Sequence, residues 1–217
     1  MNQTSTQRRA LIVVDVQNEY ENGGLRIEYP PIASSLRNIG KAMDAAHAAG
    51  IPVLVVQQMA PADAPLFATG SPGWQLHDTV VSRPRDHLVQ KQLPSAFAGT
   101  DLSEWLQAHH IDTLAVVGYM THNCNDTTIK HAFDAGLAVE FLMDAAGSVS
   151  YANHAGHASA EEIHRVFSVV EQSRYAAVLN TDEWLRCVAD GHLPERDTIH
   201  ASHQRALARR SAPSATA

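Results

Sequence analysis

The sequence predicts an α/β protein of three layers, α/β/α, built on a six-stranded parallel sheet. Three observations point there. Short apolar runs rich in β-branched residues alternate with stretches of 3.6-residue periodicity, the alternation that crossover helices impose on a parallel sheet. The runs are apolar throughout, as strands buried on both faces require. The 217 residues fit one domain with a core large enough to need no staples.

The elements follow in order. Residues 11–15, Leu-Ile-Val-Val-Asp, form the first strand. Pro30 and Pro31 open a helix whose apolar positions Ile32, Leu36, Ile39 and Met43 share one face, and Gly50 is suited to its left-handed cap. Residues 52–56 are the second strand. Residues 59–86 are rich in proline and glycine and read as a long loop of little regular structure, a kind that tends to be functional. A short strand over 87–90 and a helix over 101–109 come next. A fourth strand over 113–117 leads to a helix carrying Ile129, Ala132 and Phe133. Residues 138–143 are the fifth strand. Ser159 and Glu162 form a capping box ahead of Ile163, Val166, Phe167 and Val170. Residues 175–179 are the sixth strand, and Thr181 starts a final helix. The domain is expected to span 1–190. Residues 191–217, polar and rich in Ala and Ser, are expected to be a loose tail or an arm across a partner subunit.

Composition narrows the function. A net charge of -7 without a basic run argues against nucleic acid or an anionic membrane as partner. The apolar run at 11–14 is too short for an export signal or a spanning helix, so a cytoplasmic location is expected. Cys124 and Cys187 are not expected to pair in a reducing compartment.

Ligands of open parallel sheets bind beyond the carboxyl ends of the strands. Asp15 and Gln17 follow the first strand there, Gln57 and Gln58 the second, Lys91 the third and Cys124 the fourth. An acid, an ammonium and a thiol thus converge on one edge. A helix start carries unpaired N–H groups and partial positive charge, which favour thiolate, and the thiolate is the nucleophile. Asp15 is suited to general acid–base work.

These segments resemble a known family. Leu11-Ile-Val-Val-Asp15-Val-Gln17-Asn18, the Lys91-Gln-Leu-Pro-Ser95-Ala96-Phe97 segment and Val116-Val-Gly118-Tyr-Met-Thr121-His-Asn-Cys124 are similar, in order, to the signatures of isochorismatase-like cysteine hydrolases. Ala132-Phe133-Asp134-Ala-Gly136 and Asp144-Ala-Ala extend the likeness over residues 9–190. The resemblance implies a Rossmann-like isochorismatase-type fold and a triad of Asp15, Lys91 and Cys124. It further implies a cis peptide between Tyr119 and Met120, with the N–H groups of Met120 and Cys124 forming an oxyanion hole. The reaction it implies is hydrolysis of a C–N bond in a small amide-type molecule, through a thioester on Cys124. An isochorismatase-type vinyl-ether hydrolase, or an inactive binding protein of the same fold, is the alternative.

Relatives of this family that hold a metal do so with an Asp-x-His pair after the second strand, where this chain has Gln57-Gln58-Met59. No metal and no cofactor are therefore expected. His154 and His157 could share a helix face but lack a third ligand at sensible spacing. Gln17, Tyr20, Trp74, Phe97, Tyr119 and His122 are the candidate substrate contacts, while Arg83 and Arg85 are as compatible with solvent as with an anionic substrate. A nucleotide-binding module is disfavoured, because no Gly-x-Gly-x-x-Gly follows the first strand. Folds of this kind are expected to assemble as homodimers or homotetramers.

Overall fold

The computed structural model describes residues 7–211. Strands β1 (Arg9–Val14), β2 (Val53–Gln58), β3 (His87–Lys91), β4 (Thr113–Tyr119) and β5 (Ala138–Gly147) are joined by helices α1 (Ile32–Ala48), α2 (Asp78–Val81), α3 (Leu102–Ala108) and α4 (Asp126–Asp134). A hairpin of β6 (Tyr151–Asn153) and β7 (Gly156–Ala158) follows, then α5 (Ala160–Arg174), β8 (Ala177–Leu179), α6 (Thr181–Asp190) and α7 (Ile199–Ser211). The main sheet has the order β3-β2-β1-β4-β5-β8, and every pairing in it is parallel.

Alternation along β1 explains the layers. Leu11 and Val13 face one side, with Met43 of α1 and Trp184 of α6. Ile12 and Val14 face the other, with Leu106 of α3 and Ile129 of α4. All four β1 side chains are fully buried, and burying each stabilises the fold by about 1.5–3 kcal/mol. The capping box holds at α5, where Ser159 Oγ accepts from Glu162 N and Glu162 Oε2 from Ser159 N.

Order reverses beside β1: the chain first builds outward to β2 and β3, then crosses back to place β4 on the other side. The carboxyl ends of β1 and β4 therefore border the crevice where such sheets bind ligands. Gly118 lets these strands meet closely, since a Cβ there would lie 2.1 Å from the Val14 carbonyl oxygen and its φ is 107°.

Three segments depart from expectation. The loop over 59–86 contains the short helix α2, capped by the His77 side chain, which accepts from Thr79 N. His154 and His157 lie in the β6–β7 hairpin and its turn. Residues 199–211 form α7, although polar composition gave no sign of it. The segment before α7 is held, with Arg196 Nη2 donating to Val139 O at 2.9 Å and Gln172 Nε2 to Glu195 O at 3.4 Å. Among the described residues, no helix is long and apolar enough to cross a membrane.

Candidate active site

Asp15 follows β1 with φ 50°, a left-handed conformation that Asp tolerates better than most residues. Its carboxylate is fully buried, and Oδ2 lies 2.8 Å from Lys91 Nζ. Lys91 ends β3. Its ammonium also lies 3.3 Å from Cys124 Sγ and donates to Gln58 Oε1 at 2.6 Å. Three partners match the three donors of an ammonium, which fixes its position between acid and thiol.

Cys124 sits in a π-helical turn, Thr121–Asn125, between β4 and α4, so it precedes the α-helix rather than occupying its first turn. The turn is pinned from below. Asn125, fully buried, donates from Nδ2 to the Gly118 carbonyl at 2.7 Å, and Thr121 Oγ1 lies 2.8 Å from His164 Nδ1. This gives the polar residue after the cysteine a structural task. Asn125→Ala is expected to cost about 1–3 kcal/mol by removing a buried hydrogen bond, measured by chemical denaturation; an unchanged midpoint would refute that task.

The Tyr119–Met120 peptide is cis. Among the described residues, the Met120 N–H donates to no protein acceptor, and the Cys124 N–H to none outside its own turn. The Met120 N–H therefore stays available to a ligand oxygen.

The electrostatics correct one expectation. Burial first, and the Asp15 charge second, push the Cys124 thiol up to about 12 despite Lys91. Desolvation thus outweighs the ammonium and favours the thiol over the thiolate. Burial also raises Asp15 above its ordinary range, with Lys91 opposing. Lys91 is raised as well; burial would lower it, but Asp15 and Cys124 prevail.

A cavity of about 410 Å³ opens above the sulfur, lined by Tyr20, Leu25, Phe67, Met120, Asn123 and Tyr151 among others. Of the six candidate substrate contacts, Tyr20 lines it. Gln17 does not: its amide is consumed by Gln58 O, Trp74 O and Gln58 N, bracing the loop to β2. Trp74 contributes a carbonyl to that brace and to Gln57 Nε2. Phe97 belongs to the core and stacks on the exposed His131 ring at 4.7 Å. Tyr119 points into the opposite core layer and shares a 2.7 Å hydrogen bond with Ser35. His122 stands beside the cavity, 3.0 Å from the Tyr151 hydroxyl. Arg83 forms a two-pronged pair with Asp44.

Asn123 and Tyr151 were not among the sequence candidates. Gln58, noted at the end of the second strand, had been given no role, and in-register pairing places it beside Lys91. Among the described residues, no group of three or more His, Cys, Asp or Glu side chains is arranged to hold a metal ion.

Comparisons with known proteins agree with this architecture. A sequence profile of the isochorismatase domain matches residues 9–182. A solved structure from Burkholderia xenovorans LB400, described as a candidate isochorismatase, superposes with a TM-score of 0.94 at 64% identity, over 96% of this chain and 100% of that one. YddQ of Bacillus subtilis, an uncharacterized isochorismatase family protein, is 29% identical over 82% of this chain and 98% of its own length. A streptothricin hydrolase of Streptomyces noursei is 34% identical over 63% of this chain and 49% of its own. The ureidoacrylate amidohydrolase RutB of Acinetobacter baylyi is 27% identical over 60% and 67%. The chain belongs to the isochorismatase family.

Proposed function

We propose that this protein is a cysteine-dependent hydrolase of a C–N bond in a small amide-type molecule. The observation that carries the reading is the Lys91 ammonium lying within reach of both Asp15 and Cys124 at the floor of a ligand-sized cavity. Two relatives, the streptothricin hydrolase and the ureidoacrylate amidohydrolase, are named for hydrolytic reactions, the second on an amide.

The resting thiol needs a base. Asp15 takes the Cys124 proton as sulfur adds to the carbonyl carbon, and Lys91 stabilises the charge that develops on sulfur. The carbonyl oxygen becomes an oxyanion facing the N–H groups of Met120 and Cys124. Collapse breaks the C–N bond, and Asp15 passes its proton to the departing nitrogen. Asp15 then deprotonates a water, which attacks the thioester. Release of the acid returns a proton to sulfur.

A screen of amides, ureas and carbamoyl compounds for ammonia or amine release, with acyl-enzyme trapping on Cys124 by mass spectrometry, tests the reading. Turnover without any adduct on Cys124 would refute it. The pH profile adds a second check. A base works only when ionised, so activity is lost as pH falls through the raised pKa of Asp15. The acid limb of kcat/KM is expected above the range of an ordinary aspartate, about 3.9; a limb at or below that value would contradict the assignment.

A further inference from the structure

Beside the cavity over Cys124 lies a second hollow of about 400 Å³, walled by the β6–β7 hairpin on one side and α5 on the other. The two share the Tyr151 side chain as a common wall. Tyr151 is 43% exposed, and His122, two residues before the nucleophile, holds its hydroxyl. Tyr151 and Cys124 both line the first cavity, which places the shared wall close to the reacting sulfur.

The chemistry of the second hollow is selective. Four rings line it, those of His122, Tyr151, His157 and Phe167, with His122 edge-on to Tyr151 at 5.1 Å and to Phe167 at 6.0 Å. Ile163 and alanines of the hairpin add apolar surface, Asn153 adds an amide, and no Asp, Glu, Lys or Arg lines it. Burial lowers the His122 pKa, so its imidazole is neutral near pH 7. Rings set edge-on to one another favour another ring as their guest, and a wall without carboxylate, ammonium or guanidinium offers little to an ionic group.

We propose that the molecule cleaved here carries an uncharged aromatic group, which lodges between the β6–β7 hairpin and α5 while its carbonyl lies over Cys124. The inference rests on the cysteine-hydrolase reading but is tested without turnover. Chloroacetamides bearing N-methyl, N-benzyl or N-phenethyl groups alkylate a thiol by displacing chloride, the proton passing to the base. Their rates on Cys124, read by peptide mass mapping, compare the two hollows directly.

At least one aryl reagent is expected to label about tenfold faster than the N-methyl reagent, the gain typical of filling an apolar pocket. Phe167→Ala, which removes a ring, and Ala155→Trp, which fills the hollow from an exposed hairpin position, are each expected to cut that preference to about twofold or less. The N-methyl rate should stay unchanged in both. Equal rates for all three reagents on the native protein, or a preference that survives both substitutions, overturn the aromatic subsite alone. No labelling of Cys124 by any reagent overturns the nucleophile assignment and the subsite together.

Discussion

Cys124→Ser is expected to lower kcat/KM by about 10⁴–10⁶-fold, the scale on which removing a nucleophile acts, while leaving the fold intact. The two side chains differ by one atom, and Cys124 is 5% exposed in a turn held by its neighbours rather than by its sulfur. The chemical consequence is far larger than the steric one. With its pKa pushed up to about 12, the thiol is already a reluctant proton donor. A serine hydroxyl is far less acidic again, and the same carboxylate would have to pull harder for a poorer nucleophile. Lys91 would also lose the developing thiolate as its partner. Steady-state product release by both proteins, with circular dichroism as the folding control, gives the answer. A variant retaining a tenth of the native rate would mean that sulfur does not attack, and a vinyl-ether chemistry without a thiol would become the better reading.

How far the sequence disclosed this site depends on the type of signal. Asp15 and Lys91 each close an apolar run and Cys124 lies in the turn that follows another, and strand ends of a parallel sheet share one edge, so their meeting was legible before any coordinates. The lining of the cavity was not. Tyr119 alternates along β4 and faces the Ser35 layer, a choice that a fully apolar run does not encode. Gln17 and Trp74 were near in sequence to the right place, but their polar groups close backbone hydrogen bonds between loops, which no spacing rule reveals. Tyr151 stands on a three-residue strand whose pairing with β7 is local and antiparallel, too short for periodicity to register. The helix α7 was hidden for a different reason: it is polar and largely exposed along its length, so its composition resembled that of a tail.

Lys91→Met is expected to destabilise the protein by about 3–5 kcal/mol, because it strands a buried charge. Both members of the ion pair have no exposed side-chain surface, so water cannot take the place of the ammonium. Gln58 Oε1 loses its donor as well. The penalty should depend on pH with a definite sign. Without Lys91, nothing of comparable size opposes the burial that already raises Asp15, and its folded-state pKa climbs further. Above about pH 4 the unfolded chain has released this proton while the folded one keeps it. The folded state then binds more protons, and stability falls as pH rises towards the folded-state pKa. Denaturation midpoints of Lys91→Met should therefore lie closer to those of the native protein at pH 5 than at pH 8. The double variant Asp15→Asn, Lys91→Met should recover much of the loss, since it removes the unpaired charge and not merely its partner, though it stays inactive. A single variant as stable as the native protein at both pH values would mean that the pair is not closed in solution, and the shared ammonium would then be no basis for the reaction.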